Sequence, residues 1–353
     1  MATALVTGFP GFIGRRLVRT LLADHPRGRV IAVVEPRMAD TAREVADEIG
    51  SKRLEVLPGD ITERRLGLSD EDWDRVTAAV THVFHLAAIY DLAVPSELAQ
   101  KVNVEGTGNV LELCLAAKKL ERLAYVSTAY VAGDRHGVVY EHELALGQGF
   151  KNHYESTKFQ AEVWVRELMD RVPTTILRPA IVVGDSQTGV TEKFDGPYYL
   201  LRVIARAEKL GRPVVQFGAA AATFNVVPVD FVVAAIAKCA YLDAAAGETL
   251  HLVDPEPLSS RELVCALADA YSGRAPKGRV PPKLVENSLR FKGIRELFGG
   301  APRESIAYLN HAVTFDTRRA VDVLGPIDLA PPKFGTYVAA MVDYFKQNEE
   351  RTP

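Results

Sequence analysis

Short, unbroken runs of apolar residues alternate with stretches of helical periodicity along the first half of the chain. The apolar runs predict buried strands at Ala2–Val6, Val30–Val34, Leu54–Leu57, Val80–Leu86 and Leu123–Ser127, with two more at Thr174–Val183 and Thr249–Val253. The periodic stretches predict helices at Phe12–Ala23, Thr41–Ile49, Val104–Ala117 and Tyr154–Met169. Strands that are apolar throughout and separated by helices form parallel sheets covered on both faces. The pattern therefore predicts an α/β fold, a doubly wound parallel sheet of the Rossmann type with about seven strands.

The amino-acid composition of the chain changes after the sixth predicted strand. Residues 185–224 and 255–325 contain more proline, glycine and charge, which predicts loops and short helices in a region made of 185–224 and 255–353. We expect these two stretches to form a smaller C-terminal substrate lobe over the carboxyl edge of the sheet. Residues 1–184, joined by 225–254, would then form the dinucleotide-binding domain, with ligands bound where the strand order reverses.

Composition narrows the class of protein further. The chain has 353 residues, is 48% hydrophobic and carries a net charge of −3, so no overall positive field favours nucleic acid. Its three cysteines are widely spaced and form no metal-ligand pattern, which predicts reduced thiols and no bound metal. No apolar run approaches the roughly 18 residues of a membrane span, and a strand at Ala2 leaves no room for a signal peptide. These features predict a cytoplasmic protein.

A glycine ladder follows the first predicted strand and opens the first predicted helix. Gly8, Gly11 and Gly14 are spaced as in a variant of the dinucleotide fingerprint, in which glycines permit a tight turn and close approach to a pyrophosphate. The helix that follows directs its free N-terminal amides at the phosphates. The predicted cofactor loop consists of Gly8, Phe9, Pro10, Gly11, Phe12, Ile13 and Gly14. We expect it to bind NAD(P)H.

Residues at the ends of the second and third strands bear on the choice of cofactor. Glu35 stands where a carboxylate usually binds the ribose hydroxyls of NAD and repels a 2′-phosphate. Arg37 lies close enough in sequence to hold that phosphate instead, so NAD and NADP both stay open. Asp60 and Ile61 are placed to meet the adenine, although an aspartate there is also ordinary turn chemistry.

Tyr154 and Lys158 are four residues apart on a predicted helix and so share one face. A nearby ammonium stabilises a phenolate, which would let Tyr154 exchange a proton with a carbonyl or alcohol oxygen. Thr128 ends the fifth strand and could hydrogen-bond the same oxygen. Ser127 is the competing hydroxyl, but adjacent strand residues face opposite sides, and we expect Thr128 to face the site.

Taken together, these residues resemble the extended short-chain dehydrogenase/reductase family. The resemblance runs to about Asp254 and rests on ordered motifs at Thr7–Gly14, Asp60–Ile61, His85–Ala88, Asn103–Thr107, Val126–Val131, Tyr154–Lys158 and Arg178–Pro179. It implies that Thr128, Tyr154 and Lys158 form the catalytic triad and that Lys158 also reaches the nicotinamide ribose. It further implies that Ala87 and Ala88 line the cofactor. Asn103 and Arg178 would be structural, and His85 a packed histidine.

Within that family, the segments Tyr125–Val131, Phe150–Glu162 and Phe224–Asp230 are similar to fatty acyl-CoA reductases and thioester reductase domains. The resemblance implies reduction of an acyl thioester, on coenzyme A or an acyl carrier protein, to an aldehyde. Glu35 departs from the arginine often found at that strand end in the branch. Ketone or hydroxysteroid-type reductases, nucleotide-sugar epimerases and a non-catalytic NAD(P)-sensing module stay open as alternatives. Ala129 and Tyr130 replace the carboxylate pair of the sugar-nucleotide dehydratases.

Other segments suggest how substrates and partners bind. Residues 271–303 carry eight Lys/Arg against two Glu, which would suit a phosphate or an acidic carrier, although a solvated helix face is the more ordinary interpretation. Phe194, Tyr198 and Tyr199 could line an apolar pocket or pack in the core. The family resemblance also implies a homodimer through the helices near Val104–Ala117 and Tyr154–Met169.

Overall fold

The computed structural model describes residues 2–90, 94–216, 222–280 and 308–350. Its strands are β1 (Thr3–Thr7), β2 (Arg29–Val34), β3 (Leu54–Pro58), β4 (His82–His85), β5 (Arg122–Val126), β6 (Gly137–Val139), β7 (Thr174–Pro179), β8 (Ile181–Val183), β9 (Val226–Pro228), β10 (Thr249–Leu252) and β11 (Val313–Phe315). Seven of them form one parallel sheet in the order β10-β7-β5-β4-β1-β2-β3. The predicted seven-stranded Rossmann-type sheet is confirmed.

Helices cover both faces of this sheet. They are α1 (Phe12–Asp24), α2 (Ala39–Ile49), α3 (Asp70–Ala79), α4 (Ser96–Ala99), α5 (Gly106–Ala116), α6 (His153–Glu167), α7 (Tyr198–Lys209), α8 (Val229–Cys239), α9 (Ser260–Ser272), α10 (Arg318–Leu324) and α11 (Phe334–Gln347). A π-helical turn, Gln100–Glu105, joins α4 to α5. Helix α3 is absent from the sequence prediction, although Ser69 caps it by accepting a hydrogen bond from the Asp72 amide (3.1 Å).

The strand residues alternate between two buried clusters because successive side chains point to opposite faces. Ala4 and Val6 of β1 join the cluster that includes α1, α2 and α8, whereas Leu5 joins the cluster that includes α3, α5 and α6. Both sides of each central strand are thus buried, which explains why the strands are apolar throughout.

The predicted strand Thr174–Val183 is wrong as a single element. Strand β7 ends at Pro179, which has no backbone N–H for the ladder, and β8 then pairs with β9 in a separate two-stranded sheet. The amide of Ala180 still donates to Leu252 (3.1 Å), but that of Ile181 donates to Asn225 (3.3 Å). The chain therefore leaves the main sheet between these two residues.

The C-terminal part is joined to the segment that follows β5 by backbone pairing outside the main sheet. Helices α7, α9 and α11 pack together, and β11 pairs in parallel with β6. Of the basic segment predicted at 271–303, only residues 271–280 lie within the described part of the chain. Among the described residues, no helix has the length and apolar character to cross a bilayer.

Candidate active site

The glycine turn lies where the strand order reverses, between β1 and β4. Gly8 follows β1 with φ of +91°, and a Cβ there would come within 2.9 Å of the Ala87 amide nitrogen. A Cβ on Gly14 would overlap the carbonyl oxygen of Gly8. Only glycine fits either position, because both neighbouring groups are backbone atoms that cannot move away cheaply.

The start of α1 is open to an anion. Gly11 is its N-cap, and within the described residues no side chain caps it and no acidic residue occupies its first turn. Arg15 donates to the Pro10 carbonyl (3.1 Å) and pairs with Glu192, so a cation stands beside the turn. Free helix amides, glycine backbone and a nearby arginine together fit the pyrophosphate of NAD(P).

The ends of β2 and β3 hold the remaining residues predicted to contact the adenosine half of the cofactor. Glu35 is half-buried at the end of β2 and pairs with the exposed Arg37 two residues later. Asp60 accepts a hydrogen bond from the Thr62 amide (2.8 Å), which is the turn chemistry expected of an aspartate there. The Ile61 carbonyl accepts a hydrogen bond from Asn109 (2.7 Å), so this turn is fixed to α5.

A chain of buried hydrogen bonds through Thr7, His85 and Thr107 stabilises the glycine turn. His85 lies between Thr7 (2.7 Å to Nδ1) and Thr107 (3.0 Å to Nε2), and burial, with the Lys158 charge nearby, lowers its pKa to about 3. Thr107 donates its own proton to the Asn103 carbonyl (2.6 Å), so it accepts from Nε2–H and leaves Nδ1 to accept from Thr7. Thr7 then accepts from the Ala87 amide (3.3 Å), which links both sides of the switch point.

The loop after β4, which contains Ala87 and Ala88, is anchored by an asparagine. Asn103 accepts a hydrogen bond from the Ile89 amide (2.9 Å) and donates to Thr157 on α6 (3.0 Å). It lies in the π-helical turn, where the altered winding places its side chain between the loop and α6. Asn103 thus fixes the loop predicted to line the cofactor against the helix that carries Tyr154.

Thr128, Tyr154 and Lys158 meet at the carboxyl end of β5. Thr128 lies near enough to the Tyr154 phenol to influence its pKa, and Lys158 donates to the Val126 carbonyl (2.8 Å). The Lys158 ammonium also stands 4.6 Å above the Tyr125 ring. The Thr128 hydroxyl and the Tyr154 phenol are thus neighbours, and the Lys158 ammonium is buried one helical turn further along α6, a set of groups that suits an oxygen gaining negative charge.

The ionisation of these groups follows from their burial. Burial lowers the pKa of Lys158 to about 8, with Glu162 opposing the effect. Burial raises the pKa of Tyr154, although the nearby Thr128 hydroxyl works in the opposite direction. From the sequence we expect the ammonium to lower the pKa of the phenol, but in this structure burial dominates. Tyr154 is therefore protonated at neutral pH, as a proton donor must be.

Ser127, the competing hydroxyl, is held by a carboxylate of α6. It donates to Glu162 (2.6 Å), a fully buried carboxylate that also pairs with Arg178 (2.6 Å) and Arg166 (3.1 Å). Burial alone would raise the pKa of Glu162, but the two arginines outweigh it and the pKa lies below its ordinary value. Arg178 additionally contacts His251 (3.2 Å), so it is locked in a structural network.

Several residues near the triad lay outside the sequence prediction. The Tyr90 ring meets the Tyr154 ring edge-on at 5.1 Å and is partly exposed. Tyr308 and Glu155 form a buried hydrogen bond (2.7 Å) beside the start of α6. A tyrosine so distant in sequence offers no local signal. Phe194 and Tyr198, by contrast, are buried in the core and pack against Phe345.

The sheet order, the glycine turn at its switch point and the Thr–Tyr–Lys group define an NAD(P)-dependent oxidoreductase of the extended short-chain dehydrogenase/reductase class. Comparison with known proteins agrees with this class. The chain belongs to the family described as Male sterility protein, whose model matches residues 6–236. The family resemblance drawn from the motifs is confirmed.

Two relatives and one solved structure refine the picture. A linear gramicidin synthase protein of Brevibacillus parabrevis is 29% identical over 97% of this chain, which spans 7% of that protein. The large subunit of L-2-aminoadipate reductase of Penicillium chrysogenum is 30% identical over 72% of this chain, which spans 19% of that protein. The terminal R domain from the myxalamid PKS-NRPS biosynthetic pathway superimposes with a TM-score of 0.83 at 23% identity, covering 100% of this chain and 92% of the other. That structural likeness shows the fold.

Proposed function

We propose that this chain reduces an acyl thioester, carried on coenzyme A or a carrier protein, to an aldehyde with NAD(P)H. The observation that supports this most directly is the proximity of the Thr128 hydroxyl to the Tyr154 phenol, with the Lys158 ammonium buried on the same helix. The relatives add support, since one is a reductase and another a synthase protein of which this chain matches a short part.

Each residue has a defined part in this reaction. When bound, the reduced nicotinamide supplies the hydride to the carbonyl carbon. Thr128 and Tyr154 donate hydrogen bonds to the carbonyl oxygen, and Tyr154 gives up its phenolic proton as charge develops there. Lys158, four residues further along the same helix, would supply a positive charge that favours that loss. The resulting hemithioacetal then breaks into aldehyde and free thiol.

We also propose which residues hold the cofactor. The turn from Gly8 to Gly14 and the open N-terminus of α1 would bind the pyrophosphate, and Ala87 and Ala88 would flank the nicotinamide half. Glu35 and Arg37 would lie near the adenosine ribose, where their mutual ion pair weakens the repulsion of a 2′-phosphate. Asp60 and Ile61 would meet the adenine.

The test is an absorbance assay at the nicotinamide band with NADPH and NADH. Acyl-CoAs, acyl-pantetheines, aldehydes, ketones and nucleotide sugars are offered in turn to the wild type and to Tyr154→Phe. Oxidation with thioesters, abolished by Tyr154→Phe with unchanged cofactor affinity, is the expected result. Turnover of ketones or nucleotide sugars alone would replace the thioester proposal. Cofactor binding without turnover, unaffected by Tyr154→Phe, would indicate a sensor.

A homodimer is part of the same proposal. Leu115 on α5 and Trp164 on α6 are large apolar side chains that are 40% and 39% exposed on the surface formed by these helices. A second copy of the chain would cover them in the arrangement that the family resemblance implies. Light scattering should give twice the chain mass, and Trp164→Glu should reduce it to one. A monomeric wild type at micromolar concentration would refute this part.

A further inference from the structure

The first turn of the helix that carries Tyr154 is built around a fully buried carboxylate, that of Glu155. Glu155 accepts hydrogen bonds from the Lys151 amide (2.9 Å) and from the Tyr308 hydroxyl (2.7 Å), and its own amide donates to Asn152, the N-cap residue (2.9 Å). The Lys151 ammonium lies 3.4 Å from the same carboxylate. Tyr154 sits between the cap and the carboxylate, so these bonds determine the orientation of its backbone.

Tyr308 connects both ends of this turn. Its hydroxyl donates to Glu155 and accepts from the Asn152 side chain (2.8 Å), so one oxygen joins the N-cap to the third residue of the turn. The residue is buried and belongs to the part of the chain that follows the last strand of the main sheet. The first turn of α6 is therefore held by a residue from the C-terminal part of the chain.

Tyr308 also contacts the loop that carries the second hydroxyl of the site, that of Thr128. Its ring meets the Tyr130 ring edge-on at 4.9 Å. The Tyr130 amide in turn donates to the Thr128 hydroxyl (3.2 Å). A single side chain thus contacts the turn that carries Tyr154 and the loop that carries Thr128.

We propose that Tyr308 is a positioning residue that holds Tyr154 and Thr128 in register from the C-terminal lobe. The proposal rests on the function proposed above for those two hydroxyls. Without the Tyr308 hydroxyl, Glu155 loses a donor and the Asn152 amide loses its acceptor, while the phenyl ring still fills the space. The turn should loosen and the two hydroxyls should lose their alignment, whereas the glycine turn is untouched.

The test compares Tyr308→Phe with Tyr337→Phe. Tyr337 is a matched control because it is similarly buried and its hydroxyl donates to the Val226 carbonyl over a long distance (3.4 Å). We expect Tyr308→Phe to lower kcat by about 10-fold, since misplacement of about 1 Å can cost about 100-fold, while KM and Kd for the cofactor stay unchanged. Tyr337→Phe should leave all three constants at the wild-type value.

Hydrogen exchange provides a readout that does not depend on the substrate. Amides of residues 152–158 should exchange faster in Tyr308→Phe than in the wild type, and those of the glycine turn should not. Glu155→Gln, which keeps the shape but removes the charge, should show the same local effect. Unchanged exchange in 152–158, or a fall in cofactor affinity equal to that in kcat, would overturn the proposal. If the wild type turned over no thioester, but residues 152–158 still exchanged faster in Tyr308→Phe than in the wild type, only the substrate assignment would be refuted.

Discussion

The buried ammonium of Lys158 should cost the protein stability that a neutral side chain would restore. The side chain is 3% exposed, donates to the Val126 carbonyl at 2.8 Å and has its pKa lowered to about 8 by burial. The step from the ordinary value of about 10.4 to that value corresponds to roughly 3 kcal/mol, at about 1.36 kcal/mol for each tenfold change. Lys158→Met removes this penalty and keeps most of the packing volume.

Part of the gain is offset. The Val126 carbonyl loses its side-chain donor, and an unsatisfied buried acceptor costs about 1–2 kcal/mol. We therefore expect Lys158→Met to be about 1–2 kcal/mol more stable than the wild type at neutral pH, and catalytically inactive. A substitution that stabilises the fold while abolishing activity would show that the lysine is kept for its chemistry.

The sign of the pH dependence follows from the direction of the pKa shift. Below about pH 8 Lys158 is charged in both the folded and unfolded chain, so the penalty is complete. Between about 8 and 10.4 the folded chain has released a proton that the unfolded chain still holds, so wild-type stability rises with pH. The advantage of Lys158→Met should shrink through this window and vanish or reverse near its upper end.

Urea unfolding followed by tryptophan fluorescence, at neutral pH and at about pH 10, measures both effects. Lys238→Met is a suitable control because that lysine is 51% exposed and pairs with Asp24 at the surface. Its stability should stay within about 0.5 kcal/mol of the wild type at both pH values. If Lys158→Met is less stable at neutral pH, or if its difference from the wild type does not change with pH, the reasoning from burial is refuted.

Two further substitutions test the cofactor turn and the buried ion pair. Gly14→Ala should abolish cofactor-induced thermal stabilisation because its Cβ would overlap the Gly8 carbonyl. Gly325→Ala, with no described atom within 4 Å of the added carbon, should retain this stabilisation. Equal thermal stabilisation of the two variants by the cofactor would contradict the steric argument. Arg178→Met should lose about 3–5 kcal/mol in urea unfolding because Glu162 stays buried with its charge poorly paired, and a loss below about 1 kcal/mol would contradict that view.

The fold could be predicted from the sequence because its strands are apolar on both faces. Runs such as Val30–Val34 have few other ways to be buried than inside a helix-covered parallel sheet. The same property concealed the break after Pro179, since β8 is as apolar as β7 and the pattern carries no mark of a change of sheet. Helix α3 was missed because its acidic first turn hides a modest apolar stripe.

Only the parts of the candidate site that are formed by residues close together in the sequence could be predicted. The spacing of Gly8 and Gly14 is a local consequence of a tight turn, and Tyr154 and Lys158 lie on one helical face. Tyr308 contacts the same helix at Glu155, although the two residues are 153 positions apart in the sequence. Tertiary packing alone creates that contact, and a single sequence carries no pattern for it.

The orientation of the Ser127 hydroxyl follows from charges buried beside β5. Glu162 and Arg178 are almost completely buried, and Glu162 binds the Ser127 hydroxyl at 2.6 Å. Because successive residues of extended backbone point to opposite sides, fixing Ser127 toward Glu162 turns the Thr128 side chain away from Glu162. A buried ion pair contributes little net stability compared with apolar packing, so its presence here is better explained by orientation. The pair would act on catalysis without contacting the reacting atoms, through the register of the strand that it holds.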